Sequence, residues 1–171
     1  MLDAVRSHPD IFKGVAIVDM DASVETLRAL KEQGIVGIAL NPTFHGIDYY
    51  RHAGALTEKL AELDLFANLQ VEQDQLRTFA PWIREFPVRV LIDHCGRPTV
   101  GDGPEQTGFR TLLGLAETGR VHVKLSGYDK FARTAYPFED CRPYIDAIVG
   151  AFTLERCLWA SDWPYTNGHN K

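Results

Sequence analysis

Six short apolar segments alternate with segments of helical spacing, and this alternation is the feature that most constrains the fold of the 171-residue chain. Each apolar segment is rich in the residues that favour strands, and each is bounded by turn residues. The predicted strands cover residues 12–19, 35–41, 65–72, 88–94, 121–127 and 157–162. Strands that alternate with helices predict right-handed βαβ units and a parallel sheet, hence an α/β fold.

Two α/β architectures fit this order: an open doubly wound sheet, or part of a (β/α)8 barrel. An open sheet usually has a glycine-rich phosphate turn after its first strand, and residues 18–21 (VDMD) contain no glycine. Polar side chains occupy alternate positions of two central strands, at Asn68 and Gln70 and again at Lys124 and Ser126. Such alternation fits a barrel interior better than a sheet covered on both faces.

Two of the predicted strands end in side chains suited to acid–base chemistry. His94 closes the strand at 88–94, and Asp162 closes the strand at 157–162. Parallel α/β proteins bind their ligands beyond the carboxyl ends of the strands, and an imidazole with a carboxylate there could activate water. The structural alternatives are a half-buried histidine bonded to a loop carbonyl, and an aspartate that closes an Asx-turn or caps a helix.

The candidate site gathers the strand-end groups that share a face in the predicted alternation. These are Asn41, Gln70, His94, Ser126 and Asp162. Lys124 shares the face of Ser126 but lies one layer deeper, where a paired interior lysine is the favoured interpretation. Asn41 precedes a proline and could simply begin a turn. Arg97 follows the histidine turn and could bind an anionic group or remain a surface arginine.

Composition excludes several classes of function. The net charge is −5, and without a basic block nucleic acid is not an expected partner. No apolar run is long enough to cross a membrane, and the first residues do not read as a secretory signal. Three cysteines without a CxxC pair favour reduced thiols and a cytoplasmic location. The length and the 45% hydrophobic content predict a single domain spanning residues 1–171.

Five motifs, spread over nearly the whole chain, resemble a known family. They are GVAIVD (14–19), GIALN (37–41), VLIDHCGRP (90–98), VKLSG (123–127) and WASDWP (159–164). They are similar to the amidohydrolase superfamily, in its amidohydrolase-2 branch, and within it to 2-pyrone-4,6-dicarboxylate hydrolases and sugar lactonases. The resemblance implies a (β/α)8 barrel in which the six strands correspond to strands three to eight. It therefore predicts an incomplete barrel, truncated at the N-terminus and after the last strand.

The resemblance also implies roles for individual residues. Asp162 would be the base that activates the hydrolytic water, and His94 would polarise the scissile carbonyl. Substrate-binding roles would fall to Asn41, Gln70, Arg97, Ser126, Lys130, Arg133 and Trp163. The implied reaction is hydrolysis of a lactone or related cyclic ester of a small organic or sugar acid, with a small anionic molecule as substrate.

At three positions the sequence departs from the family pattern, and these departures bear on the expected metal and substrate. Gln70 stands where metal-binding members carry a histidine, so we expect no bound metal and no cofactor. Ala39 stands where the pyrone hydrolases carry an arginine, and only Lys130 or Arg133 is available where they carry another after the seventh strand. Both weigh against a dicarboxylate substrate. The alternatives are a metal-dependent decarboxylase or amidase, and an inactive or partner-dependent fragment that self-associates through its open sheet edges.

Overall fold

The computed structural model describes residues 1–165, which form one six-stranded parallel sheet. Each strand is hydrogen-bonded to its neighbours in sequence, in the order β1 to β6. The strands are β1 Gly14–Ala16, β2 Ile35–Leu40, β3 Phe66–Leu69, β4 Val90–Ile92, β5 Val121–Leu125 and β6 Cys157–Trp159. This consecutive parallel order confirms the predicted incomplete (β/α)8 barrel of six βα units.

Residues 1–165 contain seven α-helices and several 3₁₀ turns; the first helix precedes β1, and the other six helices lie between strands. The helices are α1 Leu2–Ser7, α2 Val24–Glu32, α3 Pro42–His45, α4 Ala53–Glu62, α5 Gln75–Glu85, α6 Thr107–Gly114 and α7 Arg142–Phe152. Helix α2 begins after Ser23, whose hydroxyl accepts a hydrogen bond from the Thr26 amide. None of the helices in the described part of the chain is long and apolar enough to cross a membrane.

The strands are shorter than the apolar segments that predict them. The segment 12–19 pairs only over Gly14–Ala16, and the segment 88–94 only over Val90–Ile92. One backbone hydrogen bond between neighbouring strands continues past the end of β3 and one past the end of β4. The Gln70 amide donates to the Leu40 carbonyl, and the Asp93 amide donates to the Leu69 carbonyl. These bonds hold the first residue after each strand in place, which is where the functional side chains lie.

The two faces of the sheet differ in chemistry because side chains alternate along a strand. The outer face packs against the helices through fully or nearly fully buried apolar residues, namely Ala67, Leu69, Val90, Ile92, Val121 and Val123. The inner face is polar toward the carboxyl ends of the strands. At its opposite end, Phe66, Leu91, His122 and Leu158 line part of a cavity of about 230 Å³. The alternation predicted for β3 and β5 is therefore that of a barrel wall.

Candidate active site

A left-handed turn carries His94 into the site. Four consecutive residues have positive φ: 52° at His94, 56° at Cys95, 70° at Gly96 and 45° at Arg97. Two backbone hydrogen bonds close the turn, from Gly96 N to Asp93 O and from Arg97 N to His94 O. Residues other than glycine rarely adopt this conformation, and clusters of such strain occur at functional sites.

This turn corrects the predicted alternation at β4. Asp93, two residues beyond Leu91, is the residue on the inner face, whereas the sequence placed His94 there with Asn41, Gln70, Ser126 and Asp162. His94 reaches the site because the backbone turns, and not because it continues the strand.

The His94 imidazole contacts a hydroxyl on one side and faces a carboxylate on the other. Its Nδ1 lies 3.0 Å from Ser126 Oγ, and its Nε2 lies 3.7 Å from Asp162 Oδ1. The side chains of His94 and Asp162 are only 8% and 13% exposed. A Cβ added to Gly127 would lie 2.5 Å from His94 Nδ1, so only glycine lets the chain after β5 pass this close to the ring. The predicted pair and Ser126 therefore meet at one point.

Burial lowers the pKa of His94 below its ordinary value. The carboxylates of Asp93 and Asp162 oppose this shift, whereas the ammonium groups of Lys124 and Lys130 reinforce it. The imidazole is therefore neutral near pH 7, with one ring nitrogen as a donor and the other as an acceptor. The neighbouring Cys95 is no nucleophile, because burial raises the pKa of its thiol to about 12.

Lys130 connects the reactive pair to a neighbouring cavity. Its Nζ lies 2.9 Å from Asp162 Oδ2 and donates a hydrogen bond to the Tyr165 carbonyl. The same lysine lines a cavity of about 470 Å³ together with Arg97, Arg133 and Glu72. Lys130 thus contacts Asp162, the predicted base, and also lines the cavity beside it.

The two arginines of this cavity are held differently. Arg97 Nη1 lies 3.3 Å from Glu72 Oε2. Arg133 is exposed, and within residues 1–165 no carboxylate forms an ion pair with it. Its guanidinium passes over Gly101, where an added Cβ would lie 2.8 Å from Arg133 Nη1. The cavity lining therefore contains three cationic side chains and two carboxylates, Glu72 and Asp102, and Arg133 is the cation without an ion-pair partner in residues 1–165.

The remaining predicted site residues, Asn41, Gln70 and Trp163, form no hydrogen bond or ion pair with His94 in the described part of the chain. Asn41 caps α3 through the Phe44 amide, which agrees with the alternative that it begins a turn. Its Nδ2 also lies 3.5 Å from Gln70 Oε1, so these two side chains are joined to each other at the ends of β2 and β3. Trp163 directly follows Asp162 in the chain and is 80% exposed. A substrate-binding role for these three residues stays a prediction.

Sequence reasoning missed a polar cluster beneath the site. Lys124 Nζ lies 2.5 Å from Asp93 Oδ1, and Asn68 Nδ2 donates a hydrogen bond of 2.8 Å to Asp93 Oδ2. The pairing agrees with the interpretation of Lys124 as a paired interior lysine. Strand alternation could have placed Asp93 on the inner face, because it is two residues beyond Leu91. The functional role was assigned instead to the adjacent His94.

Comparison with known proteins decides the family. The model of the amidohydrolase family (Amidohydro_2) matches residues 1–170. The chain belongs to the amidohydrolase family.

Curated relatives of this amidohydrolase act on lactones, according to their names. A 4-sulfomuconolactone hydrolase from Rhizobium radiobacter is 30% identical to this chain. The aligned region covers 96% of this chain and 56% of the relative. A 2-pyrone-4,6-dicarboxylate hydrolase from Comamonas testosteroni is 26% identical, covering 98% of the chain and 58% of its own length. The chain thus spans just over half the length of these relatives.

Solved structures agree with the amidohydrolase assignment. A probable 2-pyrone-4,6-dicarboxylic acid hydrolase from Acinetobacter baumannii, crystallised with citric acid, superposes with a TM-score of 0.84 at 27% identity. The match covers 99% of this chain and 64% of that one. A putative 2-pyrone-4,6-dicarboxylic acid hydrolase from Pseudomonas putida gives a TM-score of 0.79 at 27% identity. The six βα units of this amidohydrolase therefore match part of a larger barrel.

The described His, Cys, Asp and Glu side chains of this amidohydrolase chain do not form a metal site by themselves. Over residues 1–165, no group of three His, Cys, Asp or Glu side chains is arranged to hold a metal ion. His94 and Asp162 face each other, and their neighbours are a serine hydroxyl and a lysine ammonium. The chemistry these groups offer is proton transfer to and from water, and hydrogen bonding to a carbonyl oxygen.

Proposed function

We propose that this chain carries the reacting groups of a hydrolase that opens a lactone or related cyclic ester of a small organic or sugar acid. The observation that carries the proposal is the convergence of His94 and Asp162, 3.7 Å apart and largely buried, at the carboxyl ends of parallel strands. The names of the curated relatives support a lactone as the substrate class.

The proposed mechanism begins with water held by the Asp162 carboxylate. Asp162 accepts a proton from the water as its oxygen attacks the lactone carbonyl carbon. His94, neutral and with Ser126 donating to its Nδ1, offers its Nε2–H to the carbonyl oxygen as negative charge develops there. The ring C–O bond then breaks, and the proton on Asp162 passes to the departing oxygen. The product is the ring-opened hydroxy acid.

The cationic cavity supports an acid group on the substrate. Arg97, Lys130 and Arg133 line it, and Lys130 contacts Asp162, so an anionic group bound there would lie beside the reacting ester. The citric acid bound in the Acinetobacter baumannii structure supports an anionic ligand for this site. We therefore assign Arg97, Lys130 and Arg133 to binding of the acid group.

The alternative is a domain that becomes active only together with further polypeptide. The observation that favours it is the open sheet, in which β1 and β6 each have one strand neighbour among residues 1–165. This alternative shares the same reacting groups and differs only in what completes the barrel.

A pH-stat assay with a panel of acid-bearing lactones tests both candidates. The 171-residue chain is compared with a protein that also includes the upstream reading frame. Turnover by either protein that is lost on substitution of Asp162 supports the proposal, and turnover by the longer protein alone supports the partner-dependent form. Absence of lactone opening by both proteins would show that the proposed function is wrong.

A further inference from the structure

A layer of three polar side chains from three adjacent strands lies beneath His94. Asn68 comes from β3, Asp93 follows β4 and Lys124 comes from β5. Asp93 binds Lys124 through one carboxylate oxygen and Asn68 through the other, and Lys124 Nζ also lies 3.4 Å from Asn68 Oδ1. The Asp93 side chain is only 9% exposed. A buried charge of this kind needs a partner, and both its oxygens have one.

Four charged groups face the His94 imidazole from the elements around it. Asp93 approaches from the end of β4, Lys124 from β5, Lys130 from the turn after β5, and Asp162 from the chain after β6. They form two ion pairs, Asp93 with Lys124 at 2.5 Å and Asp162 with Lys130 at 2.9 Å. The ring therefore lies between two carboxylates that each have their own ammonium group.

We propose that Asp93 and Lys124 are positioning residues for His94, and that Lys124, by offsetting part of the Asp93 charge, helps keep the imidazole uncharged so that it serves as a neutral hydrogen-bond donor. Asn68 holds the second oxygen of Asp93 and so fixes the carboxylate against the sheet. The inference deepens the proposed function, and it rests on that function only for its consequence in catalysis. It goes beyond the reacting pair, because neither Asp93 nor Lys124 needs to touch the substrate.

The sign of each charge gives the inference a distinctive consequence. Without the Lys124 charge, the Asp93 carboxylate is unbalanced next to the ring and favours the imidazolium, which raises the pKa of His94. Without the Asp93 charge, the Lys124 ammonium is unbalanced and lowers that pKa. Removal of both charges leaves the two effects opposing each other, so the pKa lies between those of the two single variants. A layer that only stabilised the fold would not produce shifts of opposite sign.

An NMR titration of the ring protons of His94 in the full 171-residue chain tests the inference without any substrate. The His94 signal is assigned from its loss in His94→Gln. We expect Lys124→Met to raise the pKa of His94, and Asp93→Asn to lower it, each by several tenths of a pH unit. The double variant should have a pKa of His94 between those of the two single variants. Lys31→Met, a lysine on α2 that hydrogen-bonds to the Leu63 carbonyl, is the matched control and should leave His94 unchanged.

Shifts of the same sign, or no shift in folded variants, would overturn the inference. Should Lys124→Met fail to fold because Asp93 is left unpaired, Asp93→Asn and the double variant still decide the matter. The outcome is separable from the proposed function, since a failed lactone assay leaves the titration unaffected. In a protein that does open lactones, the acid limb of kcat/KM should follow the same two shifts, upward for Lys124→Met and downward for Asp93→Asn.

Discussion

At the scale of single residues, the site consists of common side chains made unusual by burial and by close partners. His94 would titrate near neutrality in water, but burial in this site lowers its pKa and keeps the ring neutral. Asp162 lies between this ring and the Lys130 ammonium. The Ser126 hydroxyl can donate a hydrogen bond to Nδ1 of His94. In the neutral ring the proton is then on Nε2, which is free to act as a donor.

Replacing Asp162 with asparagine tests the assignment of the base. Asparagine has nearly the same shape but cannot accept a proton from water, so we expect kcat to fall about 10²- to 10⁴-fold with little change in KM. The measurement is the lactone assay on whichever form of the protein is active, with circular dichroism to verify folding. Asp3→Asn, at a fully exposed surface aspartate, is the control. Wild-type turnover in Asp162→Asn would remove Asp162 from the mechanism.

At the scale of elements, the strand-end turns aim the reacting groups. The left-handed turn at 94–97 directs His94 inward, and Gly127, with φ 65°, begins the turn after β5 directly against the ring. Asp162 also has positive φ, at 59°. The sheet itself supplies the register: Asn68, Leu91 and His122 are aligned across β3, β4 and β5. Small changes in the turns should therefore affect the site more than they affect the sheet.

Gly127→Ala tests this with a control of matched backbone conformation. Alanine at a positive φ costs about 1–2 kcal/mol of stability, and here its Cβ would also collide with the His94 ring. Gly119 has a similar φ of 71° and no atom within 4 Å of an added Cβ. We expect both variants to lose stability in urea unfolding, Gly127→Ala the more because of the added collision, and only Gly127→Ala to move the His94 NMR signals and lower turnover. Equal effects of both variants on His94 would contradict the proposed contact.

At the scale of the whole molecule, two strand edges remain unpaired in residues 1–165. β1 and β6 each pair on one side only, and Trp159 on β6 is 78% exposed. Unpaired edges with exposed apolar side chains promote association. The matched relatives are nearly twice as long, and in a longer protein such edges could pair with additional strands.

We expect the 171-residue chain to self-associate through these edges. Light scattering coupled to size exclusion, over a range of concentrations, should show a mass that rises with concentration. Trp159→Lys should reduce association because a charged side chain at an edge opposes strand pairing. Leu154→Lys is the control, since Leu154 is also exposed but lies outside the sheet. A monomer at every concentration would contradict this prediction.

The sequence by itself determined the order of strands and helices and the positions of the reacting groups along the chain. Apolar periodicity and turn residues act over a few neighbouring positions, so the strand at 35–41, which became β2, could be predicted directly. Asn68, Gln70, Lys124 and Ser126 were assigned to an inner face because strand alternation needs no tertiary information.

Only the tertiary structure decided how these groups meet. Asp93 pairs with Lys124 and Asn68, and Asn68 and Lys124 are 56 residues apart along the chain, so no local pattern indicates their contact. The inward turn of His94 depends on four successive positive φ values, three of them at residues that do not favour such a conformation. Contacts of this kind arise from strand register and from the packing of separate turns, since that is what brings distant residues within a few ångströms.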